Sequence, residues 1–100
     1  MEQKIKQEKG LSIGGNLKKL RNGARMTQEQ VAAQLQLRNF AVTRSAYSQM
    51  ESGTYSIRVG ELIALVEIFR TDFNTVFKDL NYNQKSELWA KIRIIINSLR

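Results

Sequence analysis

The chain has no cysteine, no histidine and no proline among its 100 residues. Without cysteine there is no disulfide. Without cysteine or histidine there is no Cys/His zinc site and no thiol or imidazole catalysis. The lack of cysteine agrees with a reducing compartment. Carboxylates are scarce, nine against sixteen basic residues, and no pair of them stands out at acid/base spacing. An enzyme is not expected, nor is a cofactor or a metal. Long apolar runs are missing too. Glu67 cuts the stretch from Leu62 to Phe69, and Ile94-Ile95-Ile96 is far short of the ~20 residues of a membrane span. Residues Met1 to Gly10 are charged and lack the apolar core of a signal peptide. No membrane association is expected, and the expected location is the cytoplasm.

What is present is an excess of positive charge, +7 on a chain with room for one domain or one domain plus an appended element. A chain of this size buries only about two thirds of its unfolded surface, so its own stability is modest. The charge is uneven: residues 1–25 carry a net +5, 26–58 a net +1, 59–80 a net −2 and 81–100 a net +3. A basic small domain suits an anionic partner, and nucleic acid is the commonest. Charge alone leaves a plain solvated surface equally open.

The apolar period is helical almost throughout and no strand signal appears. Residues 1–11 read as a polar flexible tail. A first helix is expected from about Ser12 to Asn22, capped by Ser12, weakened at its start by Gly14 and Gly15, and stopped by Gly23 in a left-handed conformation. A second starts at the capping-box pair Thr27 and Gln30, buries Val31, Ala32 and Leu35, and runs to about Arg38. Asn39 suits a left-handed stop, with Phe40 folding back onto Leu35. A third runs from the cap Thr43 to Ser52 and stops at Gly53. A fourth covers about Val59 to Phe69. Asp72 caps a fifth, through Leu80. A sixth reaches the C-terminus, with Leu88, Trp89, Ile92, Ile95, Ile96 and Leu99 on one face and Ile94 off it.

Residues 26 to 53 carry the most information. They form two short amphipathic helices with a connector. On the second, Ala46, Tyr47 and Met50 face inward, while Arg44, Ser45, Ser48 and Gln49 face outward. A solvated face usually holds long charged side chains. Short hydroxyls with an Arg and a Gln are groups that reach base edges in the major groove. Thr43 caps this helix, and a helix N-terminus also offers free amides to a phosphate.

These residues resemble the phage-repressor-type helix-turn-helix family, the Cro/cI-like or XRE regulators. The resemblance rests on Gly14-x-Asn16-Leu17-x-x-Leu20-Arg21, Met26-Thr-Gln-Glu-Gln-Val-Ala32, Thr43-Arg-Ser-x-Tyr-Ser-Gln-Met-Glu51-x-Gly53, and Glu61-Leu62 to Phe69. It covers residues 12 to 80. It implies an all-α, five-helix repressor-like DNA-binding domain over 12–80, with an added amphipathic helix over 81–100. The chain departs from the family pattern between Val31 and Glu51, where it is about five residues longer. The extra residues fall in Gln36 to Ala41, extending the connection between the second and third helices. They either bring Arg38 toward the DNA backbone or only reshape the core.

The resemblance also implies roles. Gln28 contacts a phosphate and braces the third helix, or is merely solvated. Arg21 and Glu51 form a buried ion pair. Thr54, Tyr55 and Arg58 lie along the phosphate backbone. Tyr47 falls at a core position. Lys18 and Lys19 read as solvated. The implied function is sequence-specific binding of double-stranded DNA by a transcriptional regulator, a dimeric repressor reading the major groove with residues 43–52. The C-terminal face then either packs on its own domain or forms the homodimer interface, two half-sites being about one DNA turn apart. No effector domain is expected. The alternative is an antitoxin-like or adaptor protein whose C-terminal helix binds a protein partner, and a nonspecific nucleic-acid binder also stays open.

Overall fold

The computed structural model describes residues 4–5, 13–78, 90, 92–94 and 97. Its elements are β1 (Lys4–Ile5), α1 (Gly14–Gly23), α2 (Gln28–Leu37), α3 (Arg44–Ser52), β2 (Ile57–Arg58), α4 (Val59–Ile68) and α5 (Phe73–Val76). Residues 90, 92–94 and 97 are also helical. The fold is all-α in class.

The helix boundaries follow local chemistry. The Thr27 hydroxyl accepts from the Gln30 amide at 3.1 Å, and the Gln30 side chain accepts from the Thr27 amide at 2.8 Å. This capping box satisfies two amides that would otherwise lack a partner within the helix. α2 ends with Asn39 left-handed at φ 69°. The Phe40 amide donates back to Leu35 and the Asn39 amide to Gln36, closing a Schellman turn as the sequence predicts. Thr43 caps α3 through the Ala46 amide at 3.0 Å. Gly53 ends it at φ 85°, where only glycine is free of strain.

Four expectations need correction. Gly23 stays helical, and the left-handed residue is Arg25 at φ 56°. The turn closes later because Met26 is fixed at both ends: its amide donates to Arg21 O, and its carbonyl accepts from Arg21 Nη1 at 3.0 Å. The fifth helix is a single turn, capped by Asp72 through Thr75 N at 2.7 Å. It stops early because Asn16 Nδ2 donates to the carbonyls of Val76 and Lys78, both at 2.8 Å, taking the acceptors that a continuing helix would use. Leu80, its expected end, lies outside the described residues, as does Ser12, the expected first cap. The third correction falls in the polar tail. Lys4–Ile5 pair antiparallel with β2, Lys4 opposite Arg58 and Ile5 opposite Ile57. Two-residue strands are too short for a sequence period, and the pairing gives the backbone of the α3–α4 connection a partner.

The core gathers Leu17 from α1, Val31 and Leu35 from α2, Tyr47 and Met50 from α3, and Leu62 and Leu65 from α4. Each such aliphatic side chain contributes on the order of 1.5–3 kcal/mol when buried. The fourth correction is Ile92. It was expected at a dimer interface, yet it is 0% exposed within this chain's own core. A side chain already sealed by its own domain has no surface to offer a second copy. Leu88, Trp89, Ile95, Ile96 and Leu99 lie outside the described residues. Ile94, placed off the apolar face, is 69% exposed. Among the described residues no helix is long and apolar enough to cross a membrane.

Candidate nucleic-acid interface

α3 packs between α1 and α2, and its inner face leaves little freedom. Tyr47 and Met50 are fully buried. α1 approaches so closely that a Cβ on Gly14 would overlap the backbone carbonyl of Glu51. Glycine at this position is therefore a packing requirement.

The end of α3 is then tied down electrostatically. Arg21 Nε donates to Glu51 Oε2 at 2.7 Å, and Arg21 Nη2 donates to Oε1 at 3.2 Å. Gln28 Nε2 donates to the same Oε1 at 3.1 Å. One carboxylate thus joins α1, α2 and α3. Burial alone would raise the Glu51 pKa, but Arg21 first, with Tyr47 and Gln28 after it, outweighs burial and holds it below the usual carboxylate range. The bond to Glu51 raises the Arg21 pKa in turn. Tyr47 lies beside this pair. Burial pushes its phenol far up, and its buried hydroxyl has no hydrogen-bond partner of good geometry.

The outer face of α3 is what remains for a ligand. Arg44, Ser45 and Gln49 are exposed and Ser48 is half-buried. Thr43 is exposed at the helix N-terminus, with its hydroxyl engaged as the cap. Beyond Gly53, the Thr54 amide donates to Gln49 O at 3.0 Å, and the Thr54 and Ser52 hydroxyls lie 3.1 Å apart. The structure therefore brings Arg44, Ser45, Ser48, Gln49, Thr43 and Thr54 onto one rigid helix and its exit turn.

The family's sequence pattern matches residues 17–76, more than half of the chain. The chain belongs to the Cro/cI-type helix-turn-helix family. This is a family of DNA-binding domains and not of enzymes. No curated protein and no solved structure matches the chain.

Within this helix-turn-helix domain, two further residues stand differently from expectation. The Tyr55 hydroxyl donates to Glu61 Oε2 at 3.3 Å, and Arg58 Nη1 lies 3.6 Å from the same oxygen. Both were expected on phosphate, and both are drawn inward by a carboxylate. Gln28 is bonded to Glu51, which supports its bracing role. Arg38, in the lengthened connector, turns to α4, with its Nε 3.8 Å from Glu67 Oε2. Gln36 Nε2 donates to Val42 O at 2.9 Å, and the Phe40 ring lies against Gly60. The added residues build the flank between α2 and α4.

Sequence reasoning missed three residues. Gly14, by propensity a weak helix start, is a point of close approach. Asn16 belonged to the motif without a role, and it holds α1 to α5. Glu61 belongs to a motif whose spacing alone assigns it no role. Its signal was present: it is the lone charge in Val59-Gly-Glu-Leu-Ile-Ala-Leu-Val66 and stands three residues after Arg58.

Proposed function

We propose that this helix-turn-helix domain is a sequence-specific transcriptional regulator of double-stranded DNA, acting in the cytoplasm as a dimeric repressor. The observation that carries this reading is the outer face of α3. Arg44, Ser45, Ser48 and Gln49 are presented on a helix capped at both ends and locked from within through Glu51. Arg can donate two hydrogen bonds to guanine and Gln can pair with adenine, and a rigid helix gives such contacts a fixed register. Thr43, Gln28 and the exit turn at Thr54 take the phosphates on either side, with the Tyr55 and Arg58 side chains turned toward Glu61. The dimer forms through the segment 81–100, using Leu88, Trp89, Ile95, Ile96 and Leu99, with Ile92 belonging to the domain core.

The test is selection from a randomised duplex pool, with an Arg44→Ala, Gln49→Ala variant in parallel. A two-fold symmetric motif that the variant loses supports a dimer reading bases through α3. Binding that merely fades with salt and enriches no motif would refute it.

The exposed Ile94 favours a second reading, an antitoxin-like or adaptor protein whose C-terminal segment binds another protein. Solution mass separates the two. A self-contained dimer supports the regulator, and a monomer that self-associates irregularly supports an absent protein partner.

A further inference from the structure

The lengthened connector builds a surface that the domain itself does not use. α2 ends on Leu37, which is 76% exposed. A lone exposed leucine needs no explanation. This one directly precedes a cleft of about 300 Å³ between the connector and α4, lined by Arg38, Phe40, Gly60, Ile63, Ala64 and Glu67. Phe40 and Ile63 are half-buried, packed on the core and still open to the cleft. A projecting leucine and an apolar hollow thus share one flank.

Charge decides what can cover it. The chain carries +7, so two copies repel over most of their surface. This flank is an exception. From Val31 to Ala41 the only charge is Arg38. From Val59 to Glu67 the charges are Glu61, which is fully buried, and Glu67. The exposed pair sums to zero. Arg38 is oriented by Gln34, whose Oε1 accepts from Nη1 at 2.9 Å and whose carbonyl accepts from it at 3.2 Å. Glu67 is 63% exposed and comes only within 3.8 Å of Arg38 Nε. One cation and one anion beside an apolar knob and hollow make a surface complementary to itself. A two-fold axis repeats every pairing in reverse. It therefore sets each Arg38 against the other copy's Glu67, and each Leu37 against the other copy's cleft.

We propose that this flank joins two copies of the chain, with Leu37 of each seated in the cleft of the other and Arg38 facing Glu67 across the rim. The contact is additional to the segment 81–100 and does not depend on the DNA reading. It belongs to this chain in particular, since Leu37, Arg38 and Phe40 fall in the stretch by which the chain exceeds the family pattern. An apolar centre inside a charged rim is the common plan of contacts between proteins.

The test is the solution mass of the full chain against concentration at low salt, with melting temperature measured alongside. Leu37→Asp changes an exposed position, so its melting temperature stays at the wild-type value. It is expected to need at least about a hundredfold more protein to reach the wild-type mass. Arg38→Glu and Glu67→Arg give a second, independent reading. Either variant alone meets like charge at both rims of a two-fold contact and is expected to associate at least about tenfold more weakly. Mixed in equal amounts, the two meet opposite charge at both rims, and the mixture recovers the wild-type association. A wild type no heavier than Leu37→Asp at every concentration overturns the proposal, whether the chain is then single, paired through 81–100 alone, or suited to a different partner. A mixture no heavier than its separate components overturns it as well, since the two rims would not meet.

Discussion

Two carboxylates flank the exit of the recognition helix, and they hold different things. Glu51, in the last turn of α3, takes Arg21 through two nitrogens and Gln28 through a third. Glu61, in the first turn of α4, takes a backbone amide and a phenol, with its arginine farther off. The first joins three helices into one body. The second holds a loop against that body. The comparison teaches that burial does not rank the two. Glu61 is the more deeply buried, yet its arginine stands farther from the carboxylate. What differs is how many charged donors have given up water for the carboxylate. Glu51 should therefore govern whether α3 has a fixed direction at all, and Glu61 how the chain beyond it meets a ligand.

The hardest way to break this comparison is Arg21→Ala. It leaves Glu51 enclosed with only the Gln28 amide. The expected loss is about 3–5 kcal/mol, the usual result of stripping one partner from a buried pair. Chemical denaturation measures it, and a loss below about 1 kcal/mol would place the pair in the class of surface ion pairs. Acid makes the same cut more gently. The folded Glu51 pKa is depressed, so its stabilisation is complete above the unfolded value of about 4.5 and is lost as pH falls through the lower folded value. Melting temperature should drop across that window in the wild type. In Glu51→Gln the drop should be smaller.

Gly14→Ala comes next. It tests whether α1 and α3 need backbone contact. A methyl group at Gly14 meets the Glu51 carbonyl, and main chain cannot step aside as a flexible side chain can. Alanine would stabilise an isolated helix by about 1 kcal/mol relative to glycine. Here a destabilisation of roughly 1–3 kcal/mol is expected instead. A more stable variant would show that the two helices can separate without harm.

The same glycine shows what the sequence can and cannot disclose. The caps at Thr27, Thr43 and Asp72 were legible because each is decided within four residues of chain. So were the left-handed stops at Asn39 and Gly53. The Arg21–Glu51 pair was legible only through the family resemblance, since nothing local links positions thirty residues apart. Gly14 looked like a defect because a helix propensity contains no neighbour. Asn16 was unreadable for the same reason: its partners, Val76 and Lys78, lie some sixty residues away. The strand at Lys4–Ile5 had no period to reveal it. The outer face of α3 was predicted residue by residue, because helical spacing and side-chain chemistry suffice to say what faces away from a core. The inward turn of Tyr55 and Arg58 was not, because it depends on a carboxylate buried in the next helix.

Thr43→Ala separates the cap of α3 from its ligand-facing role. Loss of the bond to the Ala46 amide should cost about 1 kcal/mol of stability. Thr43→Ser keeps the cap and should restore it. If affinity for DNA falls in the alanine variant and recovers in the serine variant in step with stability, the hydroxyl acts as a cap. Affinity that stays low in Thr43→Ser, with stability restored, would show that the threonine methyl matters at the interface.

The smallest expected effect sharpens the picture around Glu51. The Tyr47 hydroxyl lies buried beside that carboxylate and the Arg21 guanidinium, close enough to feel both charges, yet without a well-formed hydrogen bond. A buried hydroxyl without a partner is a cost the fold carries. Tyr47→Phe should therefore be neutral or stabilising by up to about 1 kcal/mol, with DNA affinity unchanged, because the ring and not the oxygen fills the core. A loss of more than about 1 kcal/mol would show that the hydroxyl does donate to Glu51. Glu51 would then hold four donors, and the contrast with Glu61 would be wider than the present geometry makes it.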